Sequence, residues 1–265
     1  MFRLLDLAQP ATVAEAYQTL MNKRSNTVLG GCAFLRMGSK RIGTAVDLSK
    51  LGLNYITEQN DYIEIGAMTT LRDVETSSVL NKYFNGVVPR SVSGIIGVQF
   101  RNAATLGASV FSRYGFSDLI TALLALDTEV ELYHGGRMTL QDFLQKPYEK
   151  DILTRILLQK NARKAAYQNL RRSASDFPVL NVAVSKLDDQ FTVVVGARPM
   201  RAQMARQASI ELSKQTPYAE QIENAASIAA EELSFGSNIR GTAGYRRAMC
   251  KVLVRRGITE VLQCR

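Results

Sequence analysis

The sequence contains few of the residues that build metal sites and nucleophilic catalytic centres. Its 265 residues include three cysteines, Cys32, Cys250 and Cys264, and one histidine, His134. Cysteines so few and far apart supply neither a disulfide framework nor a four-thiolate metal site, so the chain cannot hold an iron–sulfur cluster by itself. We interpret His134 as an exposed turn residue, although counting alone leaves a Ser/His/Asp triad open. We therefore assign no catalytic residue and no metal ligand.

Cys32 follows a double glycine, which leaves two interpretations of its role. It is either a low-pKa nucleophile or a small residue that fits a tight loop, and we favour the second because no catalytic partner lies nearby in sequence.

Long apolar runs and common nucleotide-binding motifs are also lacking. No stretch reaches the roughly 18 apolar residues of a membrane helix, and the N-terminal "MFRLLDLAQP" lacks the regions of a signal peptide. We expect a cytoplasmic location and no membrane partner. Neither a G-x-G-x-x-G fingerprint nor a Walker A sequence occurs, so the sequence supports neither a dinucleotide-binding Rossmann unit nor a P-loop.

Positive charge is abundant but unevenly distributed. The net charge is +9, and residues 151–265 carry 18 Lys and Arg against 10 Asp and Glu, whereas the first 150 residues carry 15 against 14. The basic residues share a helical pattern with apolar ones and no nucleic-acid motif accompanies them, so we favour a solvated helix face over nucleic-acid binding. A docking face for an acidic partner is a third interpretation.

Alternating helix and strand signals run along the whole chain. Thr12 and Glu15 form a capping box for a first helix, and Gly30 and Gly31 end a short strand near residues 27–29. "YITEQNDYIEIGA", "TEVELYHGGRMTL" and "VLNVAVSKLDDQFTVVVGA" predict β-hairpins. Asp118 is predicted to cap a helix, and two or three helices follow the last hairpin, ending with one from about Thr242.

Small residues cluster in "RNAATLGASVFSRYGFSD", residues 101–118. Such side chains let two backbones pack closely or let a ligand approach the main chain. Two turns, at Gly30–Gly31 and in this span, could form amide nests that together hold a diphosphate through their backbone N–H groups. Spacing alone does not distinguish this from ordinary turns.

Taken in order, several segments together resemble one family over nearly the whole chain. They are "VLGGCAFL", "IEIGAMTTLRDVE", "VQFRNAATLGASV", "SDLITALLALDTEVEL" and "YRRAMCKVLVRR". The chain resembles the FAD-binding medium subunit of molybdenum hydroxylases, the family of xanthine dehydrogenase and carbon monoxide dehydrogenase. The resemblance implies an α+β fold with a two-part FAD-binding domain of the vanillyl-alcohol-oxidase (PCMH) type over residues 1–158. A small domain with a three-stranded antiparallel sheet and helices would follow over residues 163–265.

The resemblance also implies the cofactor-binding residues. The family's first glycine loop matches Leu29, Gly30, Gly31, Cys32, Ala33 and Phe34. Its second loop matches Arg101, Asn102, Thr105, Leu106, Gly107, Ala108 and Ser109. Further FAD contacts of the family fall on Ser112, Asp118 and Leu153.

The chain departs from the family pattern at five of these or related positions. Cys32 and Ala33 replace Thr and Asp, Ala108 and Ser109 replace Gly and Asn, and Asn169 stands where the family has a lysine. Each lost hydrogen bond costs about 0.5 to 1.5 kcal/mol, so the departures predict weaker FAD binding unless other groups compensate.

The resemblance implies an electron-transfer subunit. A molybdopterin-binding large subunit would oxidise a substrate such as a purine or another N-heterocycle, and a small iron–sulfur subunit would deliver electrons to FAD on this chain. NAD+ or another acceptor would receive them, and a homodimer of heterotrimers is the family's common assembly. The alternatives are a non-catalytic assembly or nucleic-acid-binding protein that has lost tight FAD binding, and an independent flavin oxidase.

Overall fold

Short strands and helices follow one another along the chain in runs of several strands and runs of several helices. The computed structural model describes residues 3–214 and 217–264. The strands are β1 (Arg3–Ala8), β2 (Thr27–Leu29), β3 (Arg41–Asp47), β4 (Ile56–Glu58), β5 (Tyr62–Gly66), β6 (Thr128–Leu132), β7 (Gly136–Thr139), β8 (Leu153–Gln159), β9 (Lys164–Arg171), β10 (Pro178–Leu187), β11 (Gln190–Gly196) and β12 (Gln203–Met204).

The helices are of similar modest length except for the last two. They are α1 (Val13–Asn22), α2 (Leu71–Thr76), α3 (Ser78–Lys82), α4 (Val87–Ser93), α5 (Val98–Ala103), α6 (Leu106–Phe111), α7 (Asp118–Leu124), α8 (Leu140–Gln145), α9 (Arg206–Leu212), α10 (Ala219–Glu232) and α11 (Ala243–Gln263). The chain divides into two units. The first holds residues up to Val74, Gly97–Ser112 and Thr128–Leu158, and the second holds Glu75–Ile96, Arg113–Asp127 and the residues from Gln159 onward.

The first unit begins with a three-stranded parallel sheet in the order β1-β3-β2. Helix α1 starts where predicted, because the Thr12 hydroxyl accepts from the Glu15 amide at 3.2 Å and the Glu15 carboxylate accepts from the Ala11 amide at 2.9 Å. Its buried Ala16 and Leu20 pack in a cluster with Val46 of β3. This packing fixes β2, which carries the first glycine loop.

A five-stranded sheet in the order β4-β5-β8-β6-β7 completes the first unit. The two hairpins predicted here, β4–β5 and β6–β7, are confirmed as antiparallel pairs. Arg155 on β8 bridges Glu64 at 3.1 Å and Glu131 at 2.9 Å on the two neighbouring strands. One cation thus ties three strands together across the sheet face.

The second unit contains an antiparallel sheet in the order β12-β11-β10-β9, against which α9, α10 and α11 pack. Four alanines on one face of α10 are fully buried in this core: Ala225, Ala226, Ala229 and Ala230. Alanine side chains allow helices to approach closely, so this face of α10 brings its neighbours near. The hairpin turning at Asp188 and Asp189 is confirmed as β10–β11.

Several local predictions need correction. The sheet of the second unit has four strands, because the two-residue β12 pairs with β11 at Val194 and Val195. Asp118 does not cap α7, since the hydroxyl of Ser117 accepts from the Ile120 amide at 3.1 Å and takes that role. The span of small residues that sequence analysis treated as a turn is largely helical, as α5 and α6.

Two further observations complete the fold. Strand β1 was missed because its Leu4, Leu5 and Leu7 are exposed and lack an in–out alternation. Over the residues that the structure describes, no helix has the length and apolarity required to cross a membrane.

Candidate functional site

The first glycine loop leaves β2 through a left-handed backbone turn. Gly31 has φ +71° and Cys32 has φ +57°, and a short 3₁₀ turn follows at Leu35–Met37. Among the described residues, no chain acceptor receives the amides of Gly31, Cys32 and Ala33. Consecutive amides without a partner are the donor set that an anion nest requires, which keeps open the nest considered for this loop.

The second loop is fixed by backbone hydrogen bonds to the segment after β5. The Leu71 amide donates to Ala104 O at 2.9 Å, the Leu106 amide to Thr69 O at 2.8 Å and the Gly107 amide to Ala67 O at 2.8 Å. The hydroxyl of Thr105 then caps α6 by accepting from the Ala108 amide at 3.3 Å. These bonds hold the start of α6 in place.

Because of these and neighbouring hydrogen bonds, most backbone N–H groups of the second loop already have an acceptor within the chain. The Ser109 amide and hydroxyl both donate to Thr105 O, at 3.1 and 2.8 Å. With Leu106, Gly107 and Ala108 also committed, the amides of residues 106–109 all donate within the chain, and the role of this loop in FAD binding stays a prediction. Only the Thr105 amide of this loop lacks a chain partner within the described residues.

The two loops touch, which explains their small side chains. A Cβ added at Gly31 would lie 2.0 Å from the Ala103 carbonyl oxygen, and one at Gly30 would lie 2.6 Å from the Ala108 Cβ. Both distances are shorter than van der Waals contact, so glycine is required on one loop and small residues are required on the other. Close backbone packing, as well as ligand access, therefore accounts for the composition of residues 103–109.

A cavity of about 220 Å³ opens beside the meeting point of the loops, entirely within the first unit. Its lining includes seven of the sequence-predicted residues: Leu29, Gly30, Thr105, Gly107, Ala108, Ser112 and Leu153. Other predicted residues lie outside the lining: Gly31, Cys32, Ala33, Phe34, Arg101, Asn102 and Ser109. About half of the predicted cofactor-binding residues thus line this one cavity.

Sequence reasoning missed four lining residues that matter chemically. Lys40 and Lys150 add positive charge, and Phe111 and Tyr148 form an aromatic wall, with ring centroids 5.8 Å apart in an edge-to-face arrangement. Tyr148 is 67% exposed, so its ring stands at the edge of the cavity. These residues lie in isolated loop and helix positions without a motif, so no sequence signal marks them.

Asp118 lies in the second unit, where its carboxylate already has three partners. The Tyr167 hydroxyl donates to it, Asn181 Nδ2 donates at 3.3 Å, and the Arg171 guanidinium lies 2.8 Å away. Burial, followed by the charge of Asp118, raises the pKa of Tyr167 well above its ordinary value. The Tyr167 hydroxyl therefore stays protonated and donates, and the predicted role of Asp118 toward FAD stays a prediction.

Neither Cys32 nor His134 has the features of a catalytic group. Burial, followed by the negative charge of Asp47, raises the pKa of the Cys32 thiol, which disfavours the nucleophilic thiolate. The His134 ring stacks on Tyr17 with centroids 5.5 Å apart, and its amide donates to Asp151 at 3.1 Å. In the portion of the chain described here, no cluster of His, Cys, Asp and Glu could hold a metal ion.

Two lysines and an apolar wall line one cavity, next to a loop with three free amides, which is the kind of lining expected for an anionic ligand with an apolar part. The sequence profile described as the FAD binding domain in molybdopterin dehydrogenase matches residues 2–160, and that of the CO dehydrogenase flavoprotein C-terminal domain matches residues 165–261. The chain belongs to this family of FAD-binding medium subunits of molybdenum hydroxylases and is an oxidoreductase subunit.

Two relatives with known names align over most of the chain. The nicotine 6-hydroxylase medium subunit of Paenarthrobacter nicotinovorans is 28% identical over 271 residues, which cover 96% of this chain and 95% of that subunit. The glyceraldehyde dehydrogenase medium chain of Sulfolobus acidocaldarius is 24% identical over 261 residues, which cover 91% of this chain and 92% of the relative.

Solved structures share the fold. A chain of carbon monoxide dehydrogenase from Hydrogenophaga pseudoflava superposes with a TM-score of 0.90 at 21% identity, covering 99% of this chain and 98% of that chain. A chain of quinoline 2-oxidoreductase from Pseudomonas putida 86 gives a TM-score of 0.87 at 20% identity, with 99% and 97% covered. The α+β fold expected from the resemblance is thereby confirmed.

The residues around the cavity fit part of FAD. The free amides of Gly31, Cys32 and Ala33, which lie in the adjoining loop and outside the cavity lining, suit phosphate oxygens. Leu29 and Leu153 in the lining suit an aromatic ring system. The volume of about 220 Å³ is below the 300 Å³ or more typical of a whole ligand site, so the cavity holds only a portion of the dinucleotide.

Proposed function

We propose that this chain binds FAD with its first unit and is the electron-transfer subunit of a molybdenum hydroxylase complex. In this proposal a small iron–sulfur subunit delivers electrons, a large subunit holds the molybdopterin, and NAD+ or another carrier is the final acceptor. The observation that carries it is the cavity beside the contact between the two glycine-bearing loops, which has cationic and apolar side chains in its lining and the free amides of residues 31–33 in the adjoining loop.

FAD, when bound, supplies the redox chemistry, because a flavin accepts electrons singly and releases them as a pair. The chain's own residues bind and orient the cofactor. The amides of Gly31, Cys32 and Ala33 are available to hold an anionic group, and the hydroxyl of Ser112 lies on the same cavity. No side chain is required here as a general acid or base.

The names of the relatives support the assembly and the substrate class. A hydroxylase medium subunit and a dehydrogenase medium chain are by name components of larger enzymes. Nicotine and quinoline, named in two of the similar proteins, are N-heterocycles, so we propose an N-heterocyclic substrate for the complex. A cytoplasmic location and a homodimer of heterotrimers belong to the same proposal.

The predicted domain division at residues 1–158 and 163–265 also remains a proposal. Strand β8 ends at Gln159 and β9 begins at Lys164, so the connection between them is four residues long. The two family profiles meet in the same short segment, between residues 160 and 165. The compact units do not follow this linear division, because the second unit also includes Glu75–Ile96 and Arg113–Asp127.

The first test asks whether the purified chain binds FAD. We expect yellow protein, or colourless protein that quenches flavin fluorescence on titration with FAD. Gly31→Ala should bind FAD more weakly because its new Cβ would displace the loop, whereas Gly52→Ala should bind like wild type because nothing lies within 4 Å of that position. A chain that binds no FAD but retains DNA in a salt-sensitive manner would favour the nucleic-acid alternative.

The second test addresses electron transfer and partners. We expect the molybdenum and iron–sulfur subunits to co-purify with this chain from its source, and the flavin absorbance of the complex to bleach when substrate is added without oxygen. Recovery of the absorbance on adding NAD+ would identify the acceptor. Turnover by the isolated chain would instead support an independent flavin oxidase and contradict the proposal.

A further inference from the structure

Helix α11 carries a row of basic side chains on its outer surface. Its buried residues recur every three or four positions between Arg246 and Val261 and face the core of the second unit. Arg247 and Arg255 are exposed, and Lys251 is half-buried. These three positions are four residues apart, so their side chains lie on one side of the helix at intervals of roughly 6 Å. We call these three residues the basic row.

The chain supplies the basic row with one described counter-charge. Arg255 Nη1 lies 2.8 Å from Glu223 of α10, and the two side chains are 48% and 56% exposed. Arg247 and Lys251 form no side-chain hydrogen bond or ion pair among the residues that the structure describes. A pair this exposed contributes little to stability, so another carboxylate can replace Glu223 at little cost.

The other acidic residues of α10 and α11 do not balance the row. Glu260 is the one acidic residue of α11, and it pairs with Arg90 at 2.6 Å. On α10, Glu232 accepts two backbone amides of α9, and Glu220 and Glu231 form no described ion pair. Like charges four residues apart destabilise a helix. This spacing is therefore unfavourable in the isolated chain and becomes favourable opposite an acidic surface.

Three cations in a row suit an acidic protein surface better than a nucleic acid. A protein that binds a duplex through its charge makes roughly 6 to 10 phosphate contacts, whereas the row offers three cations over roughly 12 Å. Carboxylates on successive turns of a helix have the same spacing of roughly 6 Å and can pair with all three side chains. The proposed function places this chain among other subunits, which provide protein surfaces for the row to contact.

We propose that the basic row is a docking site for an acidic face of another subunit of the complex, whose carboxylates pair with Arg247, Lys251 and Arg255. The inference rests on the assembly in the proposed function and is independent of how the first unit holds FAD. Glu223 pairs with Arg255 in the free chain and is displaced when the partner docks.

The first test identifies the partner in the complex purified from its source. A carbodiimide joins a lysine amine to a carboxylate in contact with it, through an amide bond formed with loss of water. We expect mass spectrometry to find Lys251 joined to an Asp or Glu of another subunit, and this linkage to be missing when the isolated chain is treated. A Lys251 that forms no link to another subunit would overturn the inference.

The second test measures how fast variant chains associate with the remaining subunits of the complex. Arg247→Gln, Lys251→Gln and Arg255→Gln combined neutralise the row, and circular dichroism checks that this triple variant is folded. Arg206→Gln is the matched control, because Arg206 is an exposed arginine of the same unit, on α9, with no described side-chain partner. The triple variant should associate about tenfold more slowly at low salt and close to the wild-type rate at high salt, and the control should be unchanged.

Glu223→Gln should instead speed association, because it frees Arg255. Unchanged association of the triple variant would overturn the inference and leave the proposed function intact. If the triple variant lost salt-sensitive binding of a DNA duplex while its association with the subunits stayed normal, the row would be a nucleic-acid site and the inference would be wrong. If no other subunit bound the wild-type chain, the proposed assembly would be refuted together with the inference, and the FAD titration would decide the cofactor separately.

Discussion

The contact between the two glycine-bearing loops predicts a measurable difference between two Gly→Ala substitutions. Gly31 and Gly52 have similar positive φ angles, +71° and +65°. At Gly31 the new Cβ would lie 2.0 Å from the Ala103 carbonyl oxygen, whereas at Gly52 nothing lies within 4 Å. Gly52→Ala therefore isolates the cost of the left-handed backbone, and Gly31→Ala adds the cost of pushing the loops apart.

The expected free energies follow from these two terms. A left-handed conformation costs an Ala about 1 to 2 kcal/mol, and the loss of unfolded-chain freedom returns about 0.4 to 1 kcal/mol. We expect Gly52→Ala to lower the free energy of unfolding by about 1 kcal/mol. Overpacking against a fixed backbone adds about 1 to 3 kcal/mol, so Gly31→Ala should lower it by about 2 to 4 kcal/mol.

Native-state hydrogen exchange measures both effects within the unit concerned. Peptides covering residues 24–48 report on β2 and β3, and peptides covering residues 180–195 in the second unit serve as an internal reference. The reference should not change. Equal destabilisation by the two substitutions would show that the loops are not in contact and would refute the packing argument.

Three further predictions concern the second unit. Burial raises the pKa of Cys250 to about 12, so iodoacetamide should leave it unlabelled in the native chain at neutral pH and label it after unfolding, as mass spectrometry would show. Tyr167 keeps its proton in the folded state above about pH 10, whereas the unfolded chain loses it, so the free energy of unfolding should fall as pH rises in that range. Urea titrations at several pH values should show this fall, and it should be less steep in Tyr167→Phe. Arg246 is 1% exposed, and its guanidinium donates to Val179 O at 2.8 Å and to Gly236 O at 2.8 Å. Arg246→Lys should lower the free energy of unfolding by about 2 kcal/mol or more in urea titrations, because one ammonium group cannot replace the several donors of the guanidinium. Wild-type stability of this variant would contradict the prediction.

Local signals accounted for those features of the fold that local contacts produce. The Thr12–Glu15 capping box, the start of α11 at about Thr242 and the hairpin turn at Asp188–Asp189 were predicted because each depends on residues a few positions apart. Strand β12 was missed because it has two residues, and a partner strand rather than its own pattern defines it. Ser117 displaced Asp118 as the helix cap because adjacent polar residues compete for one position.

The candidate site likewise has features that the sequence alone determines and features that depend on the tertiary structure. The sequence by itself determined the two short segments of small residues, because glycine and alanine positions are visible in the residue order. It also determined the family resemblance, which named seven of the residues around the cavity. Only the tertiary structure decided how the second loop uses its amides, since their acceptors, Ala67 and Thr69, come from a distant segment. It also decided that Lys40 and Lys150, 110 residues apart, line one cavity, because side chains far apart in sequence converge only when strands and helices pack.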